Sequence, residues 1–379
     1  MKIGFDAKRA FQNFTGLGNY SRTLIETLAT HCTDFDLQLF APRTTADPRV
    51  TRFLSRCTPP LSIHTPQTKF GQKMGAWWRT YGIINDLKKN DIKIFHGLSN
   101  ELPFGIERSG IKSVVTIHDL IFERYPDFYP FLDRQMYRWK FKSACQKADT
   151  VIAISEQTKK DIICFYNINP EKIKIVYQSC DPQFYTPFDT ENKQAILAKY
   201  NLPSEYILYV GTVNERKNLL NLVKALPIMG KKALPLVAIG DGKKYLEEVE
   251  NFVSQNHLSN KFYLRKRVDF ADMPHIYRGA AVFVYPSFFE GFGIPIIEAL
   301  FSGVAVVTSV DSCFAEAGGD GALYCQPSQP ESIAEKINAI LTNKILREDL
   351  ILRGGQHVQQ FLPTHLAQVW RGVYGNLIT

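Results

Sequence analysis

The stretch AVFVYPSFFEGFGIPIIEAL (281–300) sets an apolar run, a glycine-bearing turn and a proline-led helical segment in immediate succession. Val282 to Tyr285 has no polar alternation, as a strand buried on both faces of a parallel sheet requires. Pro295 suits the first position of a helix, because it has no N–H to leave unpaired and its φ is already helical. Gly291 and Gly293 can take dihedrals barred to other residues and let a ligand approach the backbone. Glu290 then falls in a loop and Glu298 in the first helical turn. Between them lies a helix N-terminus, whose amides make a natural seat for an anion.

The same strand–turn–helix grammar recurs along the chain. The first half carries KIGFDA, LQLFAP, IKIFHG, SVVTIHDL, TVIAIS and IKIVYQ, and the second carries YILYVGT, PLVAIGDG, FYLRKRV, VFVYPS, AVVTS and ALYCQP. Helical stretches such as NYSRTLIETLATHC (19–32) lie between them, so an α/β fold with parallel sheets covered by helices on both sides is expected. Residues 181–205 carry three prolines and no strand pattern, which places a linker near 182–200. The expected architecture is two doubly wound Rossmann-like domains, 1–184 and 185–361, facing across a cleft. Ligands of such sheets bind beyond the carboxyl ends of the strands.

A length of 379 residues suits two domains, and 45% hydrophobic with 22% charged residues is ordinary for a globular chain. No apolar run reaches the roughly 20 residues of a membrane span, and the N-terminus does not read as a signal peptide. Seven scattered cysteines without a CxxC pair point to reduced thiols in a cytoplasm and argue against a zinc site. The net charge of +8 lies entirely in residues 1–185, which hold 26 Lys and Arg against 18 Asp and Glu. Within KFGQKMGAWWRTYG (69–82), Lys69, Lys73 and Arg79 stand beside Phe70, Trp77, Trp78 and Tyr81. That mixture fits either a surface on anionic lipid headgroups or a helix whose aromatics enter the core. No nucleic-acid-binding module is recognisable, so nucleic acid is not an expected partner.

The chemically suggestive residues follow strands. Gly16 and Gly18 open a helix after the first strand and permit close approach of a phosphate or sugar, as an ordinary turn would also explain. His118 and Asp119 end the fourth recognisable strand; the histidine can meet a substrate hydroxyl, shuttle a proton or simply be capped by its neighbour. In GTVNERKNLLNL (211–222), Arg216 and Lys217 sit at a helix entrance with Asn218 as the expected N-cap. Such a pair fits a diphosphate, Arg by bidentate contact and Lys as a point charge. The DFD triplet (34–36) spells a metal-binding DxD but reads as polar positions entering a strand, and no metal site is expected.

GLGNY, TIHDL, IAISEQTKKDI, GTVNERKN, IGDG, MPHIYRGAAVFVYPSFFEGFGIPIIEAL and SCFAEAGGDGALYCQP stand in the order seen in retaining glycosyltransferases of the GT-B family-four group, which this chain resembles over nearly its full length. The resemblance implies a nucleotide-sugar donor held mainly by the second domain. Arg216 and Lys217 would neutralise the leaving diphosphate. Glu290 would bind donor-sugar hydroxyls near the amides of Gly291, Phe292 and Gly293, and Glu298 the ribose. The backbone around Arg267 and Val268 would meet the base, with Lys266 where the family often has glycine. His118 would contact the transferred sugar, and Gly16 and Gly18 would leave room for phosphate or acceptor.

The resemblance further implies metal-independent front-face displacement, since cations and helix dipoles can compensate the departing charge. TGLGNYSRTL and HDLIFERYPDFYP look most like bacterial mannosyltransferases of O-antigen and capsule assembly. GDP-mannose is therefore the expected donor, with UDP-glucose, UDP-galactose and UDP-N-acetyl sugars as alternatives. The implied acceptor is a polyprenyl-diphosphate-linked saccharide at the inner face of the cytoplasmic membrane. A nucleotide-sugar epimerase of the same architecture and a non-catalytic sugar-nucleotide binder are the competing readings. The family's C-terminal Phe-x-Trp is replaced by FLPTHLAQVW, so a final helix from about His365, within residues 362–379, is expected to pack on the N-terminal half.

Overall fold

A computed structural model of the chain describes residues 1–186, 193–230 and 233–378, apart from the side chains of residues 69 and 70. The structure divides into two units, one made of Met1–Cys180 with Gln360–Thr379 and the other of Asp181–Gln359. These limits lie a few residues before 184 and 361. The reason is local: Pro182–Phe184 forms a 3-10 turn whose Phe184 ring packs edge-on against Tyr277 at 5.5 Å, tying this segment to the second unit. Part of the anticipated linker, residues 187–192, lies outside the described residues.

In the first unit seven parallel strands are ordered β3-β2-β1-β4-β5-β6-β7. They are β1 (Lys2–Asp6), β2 (Asp36–Phe40), β3 (Ser62–His64), β4 (Ile94–Gly97), β5 (Lys112–Ile117), β6 (Thr150–Ala153) and β7 (Ile173–Ile175). Six coincide with the runs read from sequence. The exception is β3, which makes the strand ending before His118 the fifth and not the fourth. It sits at the sheet edge with its first two residues exposed, so it lacks the apolar signature that burial on both faces imposes on its neighbours. Along β5, Val114 joins the core on one face while Val115 and Ile117 join the core on the other. This alternation explains the near-continuous apolar runs.

The helix Gly16–His31 covers one face together with the C-terminal helix Pro363–Gly375. That last helix starts at Pro363, slightly before the expected His365, because Pro363 is itself a good first-turn residue. Trp370 is 2% exposed and stacks on Tyr374, 5.4 Å away. The Tyr374 hydroxyl meets Nδ1 of buried His96 at 2.8 Å, and His96 Nε2 meets the Thr116 hydroxyl at 2.8 Å. Residues far apart in sequence are thus joined by a hydrogen-bonded chain through the core, with every polar member satisfied along it.

The 69–82 segment divides its side chains between the two readings open for it. Trp78 is buried, and Arg79 is held between Asp6 and Glu101, so this cation is unavailable to a headgroup. Trp77 and Tyr81 are exposed. The side chains of Lys69 and Phe70 lie outside the described residues. Among the described residues no helix is long and apolar enough to cross a membrane.

The second unit repeats the plan with six parallel strands ordered β10-β9-β8-β11-β12-β13. They are β8 (Ile207–Val210), β9 (Leu236–Ile239), β10 (Phe262–Arg265), β11 (Val282–Tyr285), β12 (Val306–Ser309) and β13 (Ala322–Cys325). All six match the sequence reading, and both units are Rossmann-like. Ile207, Leu236, Val282 and Val307 supply one continuous core beneath the helices that flank the sheet.

Trp370→Ala removes a fully buried indole from the C-terminal helix and is expected to destabilise the first unit by about 3–5 kcal/mol. Urea unfolding of the variant, followed by near-ultraviolet circular dichroism, measures this; an unchanged midpoint would show that the helix contributes little to that core.

Candidate active site

At the carboxyl end of the second sheet, three loops are tied into one body. After β8, the Asn214 side chain accepts from the Lys217 amide at 3.0 Å and opens the 3-10 turn Glu215–Lys217. The expected cap, Asn218, does something else. It lies in the left-handed region at φ 60°, and its Nδ2 donates to the carbonyls of Pro286 at 2.9 Å and Pro327 at 2.6 Å. One asparagine therefore links the loops after β8, β11 and β13. Its φ turns the side chain away from the helix it precedes, which is why it does not cap.

This arrangement delivers Arg216 and Lys217 to the loop after β11. Phe288 N–H donates to the Arg216 carbonyl at 2.9 Å, and Arg216 Nη1 donates to the Phe289 carbonyl at 2.6 Å. Arg216 Nη1 and Lys217 Nζ each lie 2.6 Å from Glu290 Oε1. Lys217 Nζ also donates to the Tyr285 hydroxyl and lies 4.7 Å from the centre of that ring. Burial opposes ionisation of Glu290, but the charges of Lys217 and Arg216 outweigh it and hold the carboxyl down at about 2. Burial lowers the Lys217 ammonium pKa, an effect that Glu290 resists.

The glycine turn is pinned from β12 onward. Cys313 Sγ donates to the carbonyls of Phe292 at 3.0 Å and Glu290 at 3.2 Å, and Ser312 Oγ donates to Glu290 O at 3.2 Å. Gly293 sits at φ 109°, and a Cβ there would lie 3.1 Å from Ile296, so strain and space both favour glycine. The helix Ile294–Phe301 begins one residue before Pro295. Glu298 consequently opens the second turn and not the first. It is buried and accepts from the Tyr277 hydroxyl at 2.9 Å. Burial raises its pKa to about 7, partly resisted by that hydrogen bond and reinforced by Asp181.

Arg216, Lys217, Glu290, Gly291, Phe292 and Gly293 are thus gathered around one buried carboxylate, with Glu298 on the helix that follows. Exposed Arg267 and half-buried Val268 follow edge strand β10, and Lys266 Nζ lies 3.9 Å from Asp241. Tyr285, Tyr277, Asn214 and Cys313 complete the site. Sequence reasoning assigned them no role, because Tyr285 reads there only as part of an apolar strand and the others have no local pattern.

The remaining candidates belong to the first unit. His118 is buried; its Nε2 donates to the Leu98 carbonyl at 2.8 Å, which leaves Nδ1 as the acceptor nitrogen. Burial lowers its pKa to about 4, against the pull of the Leu98 carbonyl and helped by Arg9. The ring is neutral at pH 7 and ill-suited to carry a proton there. The Leu98 carbonyl holds it, and Asp119 accepts from the Ile121 amide at 3.1 Å. A Cβ on Gly18 would fall 1.8 Å from the Asn13 carbonyl oxygen, so backbone packing already demands this glycine, whereas a Cβ on Gly16 would meet open space. Among the described residues no three His, Cys, Asp or Glu side chains are gathered so as to hold a metal.

Residues 14–184 match the family model Glycosyltransferase Family 4, and residues 190–357 match Glycosyl transferases group 1. The chain is 28% identical over 372 residues to O-antigen chain mannosyltransferase B of Escherichia coli, covering 95% of this chain and 96% of that protein. It is 29% identical to O-antigen chain mannosyltransferase RfbU of Salmonella typhimurium over 60% of each chain. Among solved structures, Anabaena Alr3699/HepE in complex with UDP and glucose superimposes with a TM-score of 0.77 at 16% identity, over 99% of this chain and 100% of that one. WaaG, a glycosyltransferase involved in lipopolysaccharide biosynthesis, gives 0.70 at 16% identity, over 98% and 99%.

Glu298 supplies a pH signature. Its folded pKa of about 7 exceeds the ordinary 4.5, so its contribution to stability is present below 4.5 and is lost as pH rises through 7. Replacing it by Gln is therefore expected to change stability relative to wild type by up to roughly 3 kcal/mol more at pH 8 than at pH 4.5, in favour of the variant. Thermal melts of both proteins across that range test it, and a pH-independent difference would mean that Glu298 ionises normally.

Proposed function

This chain belongs to the glycosyltransferases of the GT-B family-four group, a hexosyltransferase like the O-antigen enzymes it is similar to, and on that footing we propose that it transfers mannose from GDP-mannose to a lipid-linked saccharide with retention of configuration. The observation that carries this reading is the Arg216–Lys217–Glu290 cluster at the carboxyl end of the second sheet, a buried carboxylate held by two half-buried cations. Two cations share one carboxylate there, so a departing diphosphate finds positive charge already in place, in surroundings that screen it little.

On this reading Arg216 and Lys217 hold the diphosphate, and the N-terminus of the helix Ile294–Phe301 adds its dipole. Glu290 accepts hydrogen bonds from the hydroxyls of the transferred sugar. Glu298, in its ionised form, accepts from the ribose, and the backbone near Arg267 and Val268 meets the base. His118 Nδ1 accepts from a sugar hydroxyl as a neutral ring. The bond from the anomeric carbon to the phosphate oxygen breaks while the acceptor oxygen bonds to the same carbon on the same face. The acceptor proton passes to the departing phosphate. Charge compensation comes from protein cations and backbone, without a metal ion.

The support for mannose is that a relative aligned over 95% of this chain and 96% of its own length is named O-antigen chain mannosyltransferase B. In a thermal-shift series of GDP-, UDP-, ADP- and dTDP-sugars, GDP-mannose should raise the melting temperature most, since a ligand that binds only the folded form stabilises it. Lys217→Ala and Glu290→Ala should each lower transfer by about a hundredfold or more while remaining folded. Full transfer by both variants would overturn the assignment, and a larger shift with a UDP-sugar would replace the donor.

A further inference from the structure

The two carboxylates that flank the Pro295 turn are met by different chemistry. Glu290 is shared by two cations, whereas Glu298 is met by a phenol and by the charge of another carboxylate. The phenol is Tyr277, on the helix Met273–Gly279; it is fully buried and donates to Glu298 Oε2 at 2.9 Å. Glu298 keeps 8% of its surface exposed, so a ligand can reach it. With Oε2 engaged, Oε1 carries its spare acceptor capacity.

The other carboxylate is Asp181, whose side chain accepts from the Gln183 amide at 3.1 Å and so caps the turn Pro182–Phe184. That turn is fastened to the helix that carries Tyr277. Gln183 Nε2 donates to the Phe270 carbonyl at 3.0 Å, and Arg278 Nη2 donates to the Phe184 carbonyl at 3.2 Å. The Phe184 ring packs on Tyr277, and the Tyr185 ring lies 5.2 Å from Phe301, at the end of the helix that carries Glu298. Burial raises the Glu298 pKa to about 7; the Tyr277 hydrogen bond resists this and the Asp181 charge adds to it. Other ionisable groups on elements packed against this helix are engaged elsewhere. Arg278 is turned to Phe184, His357 Nε2 meets the Glu316 carbonyl at 3.0 Å, and Tyr285 accepts from Lys217.

We propose that Tyr277 and Asp181 are positioning residues for the donor's ribose: Tyr277 fixes the Glu298 carboxylate so that its second oxygen receives a ribose hydroxyl, and Asp181, by like-charge repulsion, sets how much ionised Glu298 is available to do so. The inference rests on the assignment of Glu298 to the ribose. An ionised carboxylate accepts a stronger hydrogen bond than a protonated one. Nucleotide affinity therefore has a ribose-dependent part that is weak in acid and grows as Glu298 loses its proton. The Tyr277 hydroxyl favours the ionised form and brings that growth to lower pH; Asp181 disfavours it and delays the growth. A nucleotide without ribose hydroxyls lacks this part, so comparing the two isolates it.

The test is calorimetric titration of the whole chain with GDP and with UDP, each paired with its 2′,3′-dideoxy analogue. Titration of the base and phosphates is common to each pair and cancels in the ratio of affinities. In the wild type that ratio should rise about tenfold from about pH 5.5 to about pH 8.5, turning near 7. Asp181→Asn, which can still cap the turn, should move the rise to lower pH and increase the ratio about twofold at pH 7. Tyr277→Phe, which keeps the ring against Phe184, should move the rise to higher pH and decrease the ratio about threefold at pH 7. Glu298→Gln should make the ratio independent of pH. Unchanged binding of the dideoxy analogues reports an intact site, and opposite displacements are not produced by a merely structural role. Curves for Asp181→Asn and Tyr277→Phe that coincide with the wild type, or move in the same direction, would overturn the proposal while a flattened ratio in Glu298→Gln upholds the ribose contact. A wild-type ratio near one at every pH, unaltered by Glu298→Gln, would remove the ribose contact and the proposal with it. Absence of binding by both nucleotides would do so through the donor reading.

Discussion

A single carboxylate, Glu290, shared by Arg216 and Lys217 organises the second unit. Buried alone, a charge of this kind would cost several kcal/mol in desolvation; here the Glu290 carboxylate lies 2.6 Å from both cations and offsets them. The same contacts bind the loop after β8 to the loop after β11, and the Arg216 backbone and guanidinium reinforce that link through Phe288 and Phe289. Asn218 extends it to the loop after β13. The positive charge is thereby preorganised, so little rearrangement of side chains is needed to meet a negative ligand.

The first unit uses the same topology with different electrostatics. Its buried histidines are connectors and not carriers of charge: burial pushes His96 down to about 3 and His118 to about 4. Each ring nitrogen engaged in the core has an oxygen partner from another element, Tyr374, Thr116 or Leu98. The strong charges of this unit are instead collected at Arg79, between Asp6 and Glu101. One sheet thus presents a surplus of cations around a carboxylate, and the other presents neutral rings and a balanced ionic network.

Local burial explains what could be read early. Strands covered on both faces must be apolar at successive positions, which is why the runs at β1, β5, β8 and β11 stand out and the exposed edge strand β3 does not. Glu290 and Glu298 are conspicuous because a proline and two glycines punctuate the chain around them. Arg216 and Lys217 stand out by adjacency. Trp77, Trp78 and Arg79, by contrast, are consecutive in a helical stretch, yet one is exposed and two are turned inward. No periodic rule separates them, since a π-helical turn at Trp78–Gly82 shifts the phase of the helix there.

From the sequence alone come most of the strand inventory, the repeated α/β plan, the glycine-bearing turn that leads to Pro295 and the adjacent pair Arg216 and Lys217, because these depend on neighbours within a few positions. The sharing of Glu290 by both cations, the three-loop tie through Asn218, the raised pKa of Glu298 beneath Tyr277 and the holding of Arg79 between Asp6 and Glu101 belong to tertiary structure. Each depends on bringing together residues 20 to more than 100 positions apart and on how much water their packing excludes. Spacing along a chain carries no information about either.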